Sequence, residues 1–134
     1  MNERNAKELA GKFVTFLETG NPPDGLFQPD VFLDFTLPQW RLQVGGVEAV
    51  VQARRQSHPD AGSVPRWRCD PTPTGFVLEL EERWTDAADQ WYCREMFRAD
   101  ATDEGISDLS VYCTGDWDSA QQERHHREVA LARP

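Results

Sequence analysis

Leu9, Phe13, Phe16 and Leu17 recur at i, i+4, i+7 and i+8, an apolar stripe that predicts a helix over about residues 3–18. Gly20 and Pro22-Pro23 end it. Asp24 to Pro29 reads as a turn or a single helical turn. Val31 to Thr36 (VFLDFT) is β-prone, and Leu37 to Val44 is a second short extended piece closed by Gly45-Gly46. Val47, Val50 and Val51 fit a short helix ending near His58-Pro59. From Val64 onward the period changes to two. Strands are predicted at Arg66–Asp70, Phe76–Thr85, Trp91–Arg98 and Ile106–Thr114, separated by turn-rich segments in the manner of consecutive antiparallel hairpins. Asp118 with Gln121 forms a capping box for a last helix over about 119–131, whose stretch from Gln121 to Arg127 is polar enough to be solvated. This order of elements predicts one α+β domain over residues 1–134, with a curved, mostly antiparallel sheet wrapped around the N-terminal helices.

Each strand has an apolar and a polar parity, and matching the apolar faces sets the register, because a slip of one residue would turn every side chain over. Leu78, Leu80, Glu82 and Trp84 share one face of the second meander strand. Trp91, Cys93, Glu95 and Phe97 share a face of the third, and Leu109, Val111 and Cys113 of the fourth. The expected pairs are Trp67 with Leu80, Cys69 with Leu78, Trp84 with Trp91, Glu82 with Cys93, and Leu80 with Glu95. On the other face Arg66 then meets Glu81 and Arg68 meets Glu79, two opposite-sign pairs that support the same register.

Two carboxyls fall on apolar faces in this arrangement, Glu82 and Glu95. A buried carboxylate needs a donor or cation, or it holds its proton with a raised pKa, and either state suits proton transfer. The structural alternatives are a solvated Glu82 beside the Asp86–Gln90 turn and a Glu95 paired with an arginine such as Arg41. Trp40, in Leu37-Pro38-Gln39-Trp40-Arg41, is either a lid over a ligand or simple packing.

Charge narrows the partners. With 14 basic against 23 acidic residues the chain carries −9, which argues against nucleic acid or an anionic membrane as partner. There is no long apolar run for a membrane span or signal peptide, and the three cysteines are expected to be reduced thiols in the cytoplasm. His125-His126 point in different directions on a helix, and no Cys/His/Asp spacing reads as a metal site, so neither metal nor cofactor is expected. His58, before Pro59, is read as a helix-end capping residue.

The helix ending near Gly20, VFLDFT followed by Pro38, the Gly-Gly-Val-Glu-Ala helix start and the four-stranded meander together resemble the nuclear transport factor 2-like superfamily, which includes ketosteroid isomerase and the SnoaL-like cyclases. The resemblance covers the chain up to about Trp117. It implies a cone-shaped sheet closed by helices, a pocket inside the cone, and a homodimer through the sheet's outer face, where Tyr92, Met96 and Tyr112 lie. Carried across, the isomerase's tyrosine falls at Phe13, its protonated acid at Glu95, and its general base near Phe35 or Leu37, with Asp34 the closest acid. These losses argue against ketosteroid isomerisation. The resulting expectation is a small-molecule pocket protein for an apolar carbonyl or hydroxyl compound, walled by Phe13, Trp40, Trp84, Trp91, Phe97 and Cys113 with Asp34 nearby. As an enzyme it would use Glu95 and Glu82 for cofactor-free isomerisation, cyclisation, dehydration or hydrolysis. The alternative is a non-catalytic, dimeric ligand- or protein-binding module.

Overall fold

The computed structural model describes residues 1–134. The first apolar stripe forms helix α1 (Glu3–Thr19), opened by the Asn2 side chain accepting the Asn5 N–H at 2.8 Å and closed by Gly20 at φ 76°. Its buried side, Ala6, Leu9, Ala10, Phe13, Val14, Phe16 and Leu17, supplies seven of the 19 core residues. Strand β1 (Phe27–Leu37) starts where a turn was expected and forms a hairpin with β2 (Trp40–Gly45). Helix α2 (Val47–Ser57) follows, then a two-residue strand β3 (Gly62–Ser63) that the pattern did not reveal. The meander is β4 (Trp67–Pro71), β5 (Gly75–Thr85), β6 (Gln90–Thr102) and β7 (Gly105–Cys113), and α3 (Ser119–Glu128) ends sooner than predicted.

The strands form one seven-stranded sheet ordered β2-β1-β7-β6-β5-β3, with β4 also paired to β5. Only β1 and β7 run parallel; the rest is antiparallel. The architecture is α+β, a large curved sheet with the helical core on its inner face.

The register is the one that parity predicts. Trp67 pairs with Leu80, Cys69 with Leu78, Leu80 with Glu95, Glu82 with Cys93 and Trp84 with Trp91. One row of inward residues crosses the sheet from Cys69 through Leu78, Phe97, Val111 and Phe35 to Leu42. The next runs Trp67, Leu80, Glu95, Cys113. The strands can approach this closely at the start of β5 because residue 75 is glycine: a Cβ there would lie 1.9 Å from the Ala99 carbonyl oxygen.

The outer face follows the register but not all the expected ion pairs. Arg66 does bind Glu81, its Nε donating at 3.0 Å, yet Glu81 is buried rather than exposed. Arg68 sits opposite Glu79 but turns to Asp70 at 2.9 Å, two residues along the same strand and so on the same face. Glu79 takes Arg94 instead, at 3.2 Å. Tyr92 is packed by Trp117, ring centres 5.6 Å apart, while Met96 and Tyr112 remain exposed. No residue of α3 is buried, and the helix is tied down by the Gln122 amide, which donates to the carbonyls of Gln90 and Trp117.

Phe97 joins sheet to helix, its ring 4.9 Å from that of Phe13 at 74°. Removing it should leave a cavity where two layers meet. Phe97→Ala is expected to lower unfolding free energy by about 3–5 kcal/mol in guanidinium titration. A loss below about 1 kcal/mol would mean that the layers can collapse around the gap.

Candidate functional site

Three elements converge at one end of the core. The inward parities of β5, β6 and β7 deliver Glu82, then Cys93 and Glu95, then Cys113. Opposite them lie Val50 and Arg54 of α2 and His58 at its C-cap, each four residues after the last. The result is a buried polar cluster at the edge of an apolar core: Glu82, Glu95 and His58 are 3%, 5% and 8% exposed.

Arg54 organises it. Its guanidinium grips both oxygens of Glu82, with Nη1 donating to Oε2 at 3.1 Å and Nη2 to Oε1, and Nη2 also donates to the Leu17 carbonyl at 2.6 Å. The two side chains are 10% and 4% exposed. Burial alone would raise the Glu82 pKa, but a hydrogen bond from Glu95 and the guanidinium outweigh it, so Glu82 is held ionised below its usual range. Glu95 has no cation bonded to it. Burial first, and then repulsion from Glu82, push its pKa well above the usual range and favour its neutral form. Two adjacent carboxyls are thus shifted in opposite directions.

Thiols complete the cluster. The Cys93 Sγ lies 3.5 Å from Glu95 Oε1, and the donor atoms of Cys93, Glu95 and Cys113 all lie within 4.8 Å of one another. This trio comes closest to a metal-ligand set, but a neutral carboxyl and two thiols beside a guanidinium make a hydrogen-bonded cluster rather than a cation site.

A cavity of ≈ 30 Å³ borders the cluster, lined by nine apolar side chains together with Arg54 and Glu95. Water needs about 10–15 Å³ and two or more polar partners. The Arg54 Nε–H, buried and without a partner, and the Glu95 carboxyl supply such partners for one oxygen atom. A larger hollow of ≈ 770 Å³ between β1 and α2 is open to solvent and contains Glu48 as its single titratable side chain.

The predicted pocket residues divide. Phe13, Phe97 and Glu95 line the cavity. Cys113 is the strand partner of Glu95 but stands outside the cavity, half-buried. Glu82 is neither solvated nor free; it is bound by Arg54. Asp34 faces away from the core, because it alternates with inward Leu33 and Phe35, and it holds Arg41 at 2.7 Å. That ion pair also removes Arg41 as a partner for Glu95. Trp40 is 68% exposed and does not cover the cavity. Trp84 and Trp91 stack on each other, centres 6.5 Å apart, beyond Glu82 and away from the cavity. His58 does cap α2, its backbone N–H donating to the Arg54 carbonyl at 2.8 Å, but it is buried, with its ring packed on Trp84 at 4.3 Å.

Sequence reasoning missed Arg54. The signal was present, since Arg54 follows Val47 by seven residues and Val50 by four, placing a cation on the inward stripe of α2.

No protein-family profile matches the chain, and no curated protein matches it. Solved structures do. An NTF2-like protein from Anabaena variabilis superposes with a TM-score of 0.69 at 16% identity, over 87% of this chain and 94% of that one. SalBIII, described as an epoxide hydrolase/cyclase-like enzyme in pyran ring formation in the polyether salinomycin, gives 0.67 at 14% identity over 87% and 98%. A de novo designed protein with a curved β-sheet gives 0.58 at 15% identity over 95% and 96%. The chain has the nuclear transport factor 2-like fold.

Two outcomes follow from the cluster. Burial first, and then Arg54, lower the His58 pKa from 6.5 to about 4. Between these values the unfolded chain binds a proton that the folded chain refuses, so stability present above pH 6.5 is lost as pH falls toward 4, by up to about 3 kcal/mol. Glu95, with its raised pKa, acts in the opposite sense, so the histidine is isolated by comparison with His58→Phe. The wild type should lose stability relative to that variant on acidification; parallel profiles would contradict the assignment. Arg54→Met strands a buried carboxylate and should cost about 3–5 kcal/mol, most of it recovered when Glu82→Leu is added. Calorimetry of the single and double variants checks this, and no recovery would mean that Arg54 acts through packing alone.

Proposed function

We propose that this chain is a cofactor-free proton-transfer enzyme acting on a small, mostly apolar, uncharged compound through one carbonyl or hydroxyl oxygen. The observation that carries the reading is the buried Glu95 carboxyl, with no cation bonded to it, beside the Arg54-bound Glu82 and the unpartnered Arg54 Nε, an arrangement that shifts the two carboxyls in opposite directions. An oxygen between Arg54 Nε–H and Glu95 would receive a hydrogen bond from the cation and a proton from the acid. Loss of that proton places a second carboxylate against Glu82, and the resulting repulsion drives Glu95 to recover one. Glu95 therefore serves as acid and then as base, while Glu82, locked by Arg54, is the fixed anion that sets its proton affinity. The description of SalBIII as an epoxide hydrolase/cyclase-like enzyme supports acid–base chemistry as a use of this fold.

A second reading, a non-catalytic binding or dimeric module, is favoured by the size of the cavity. Its ≈ 30 Å³ is far below the roughly 300–1,000 Å³ of ordinary ligand sites, so a substrate larger than water must displace part of the wall. Exposed Met96 and Tyr112 on the outer face would then meet a second copy.

The readings separate in heavy water. Incubated with a panel of small neutral ketones and followed by NMR, the wild type should incorporate solvent deuterium next to a carbonyl. Glu95→Gln should slow this by about 100-fold or more with an unchanged melting temperature. No exchange with any ketone, or equal exchange by the variant, would leave the module reading.

A further inference from the structure

Helix α3 stands over the outer face of the sheet without burying any of its residues there. Its approach is pinned by a backbone bridge in which Tyr92 and Trp117 exchange N–H···O bonds of 3.0 and 2.7 Å. The side chains it turns toward the sheet are Gln122, His125 and His126, at i, i+3 and i+4, where a helix held by packing carries apolar residues. Between that polar stripe and the strands lies a hollow of ≈ 300 Å³, at the lower end of the roughly 300–1,000 Å³ of small-molecule sites.

The charge of the hollow is opposite to that of the chain. The chain carries −9, yet Arg66, Arg83, Arg94 and Arg133 line the hollow with Glu81 as its one carboxylate side chain. Two of these arginines are committed, Arg66 to Glu81 and Arg94 to Glu79. Arg83 and Arg133 make no ion pair. The Arg83 guanidinium lies over the Tyr92 ring, 4.6 Å from its centre, and its Nη1 donates to Gln122 Oε1 at 3.3 Å, both neutral partners. Like charges gathered this way repel one another, and an anion placed among them removes that repulsion.

An acceptor oxygen already occupies part of the hollow. Arg66 spends Nε and Nη2 on Glu81 and turns Nη1 to the Pro134 carbonyl oxygen. A guanidinium binds an oxyanion more strongly than a neutral carbonyl, so an anion competes well for that position. The wall beside it is apolar, formed by Trp117 and by Leu131, which is 56% exposed.

We propose that this hollow is a binding site for a small aromatic oxyanion, an aryl phosphate or aryl carboxylate, with its ring against Trp117 and Leu131 and its oxygens among Arg66, Arg83 and Arg133. Guanidinium groups match both oxyanions through paired N–H donors. The acidity of the rest of the chain repels a polyanion, which restricts the site to small molecules. The site lies on the face of the sheet opposite Glu95 and does not depend on proton transfer there.

The test is calorimetric titration of the full chain, in a phosphate-free buffer of low ionic strength, with phenyl phosphate, benzoate and inorganic phosphate. At least one of the aromatic anions should bind with a Kd below about 1 mM and about tenfold or more tightly than inorganic phosphate, and the tighter of the two identifies the oxyanion the site takes. Arg83→Gln and Arg133→Gln should each weaken that binding by about fivefold or more, while Arg4→Gln on α1 should leave it unchanged. Because Arg83 also bonds Gln122, Arg133→Gln, at an exposed residue without an ion pair, carries the comparison if the first variant loosens α3. No binding of either aromatic anion, equal binding of inorganic phosphate, or full affinity in Arg133→Gln would overturn the assignment.

Discussion

The bidentate ion pair between Arg54 and Glu82 is the constraint on which the site depends. A guanidinium and a carboxylate this deep are tolerable only because each satisfies the other and Arg54 also reaches the Leu17 carbonyl, tying α2 to the end of α1 and to β5. With Glu82 committed to the anion, Glu95 cannot ionise cheaply beside it. Burial, and then the fixed Arg54 guanidinium, keep His58 at the C-cap of α2 neutral.

Much of this arrangement was legible in the amino-acid order, for a physical reason. A strand has a period of two, so Glu82 and Glu95 stood out as acids on otherwise apolar faces, and opposite charges at Arg66 and Glu81 supported the register independently. The sheet pairings that place Glu95 against Leu80 follow directly. Asp34 went wrong because it was inferred by likeness to another enzyme, although its own alternation with Leu33 and Phe35 puts it outside. Arg54 was hidden because a helix stripe is read from its apolar members, and the valines of α2 were counted without following the same face to its cation. The small size of the cavity has no signature in spacing at all. It depends on how Phe13, Phe16 and Phe97 fill space together, which is a property of volumes and rotamers rather than of pattern.

Fold and function separate cleanly here. The same cone is matched by an epoxide hydrolase/cyclase-like enzyme and by a designed protein, at identities too low to carry chemistry. What distinguishes this chain is a polar cluster set at the border of a filled apolar core, with a buried acid whose neutral form is favoured and an unpartnered guanidinium nitrogen. Those features impose a stability cost that packing alone would avoid, which is the physical argument for reading them as a site.

The central claim is that Glu95 holds its proton at neutral pH while Glu82 does not. Infrared difference spectroscopy between the wild type and Glu95→Gln tests it without any substrate. The account predicts a protonated-carboxyl carbonyl band at pH 7 in the wild type that is missing from the variant. Loss of a carboxylate band instead, with no protonated-carboxyl band in either protein, would contradict it.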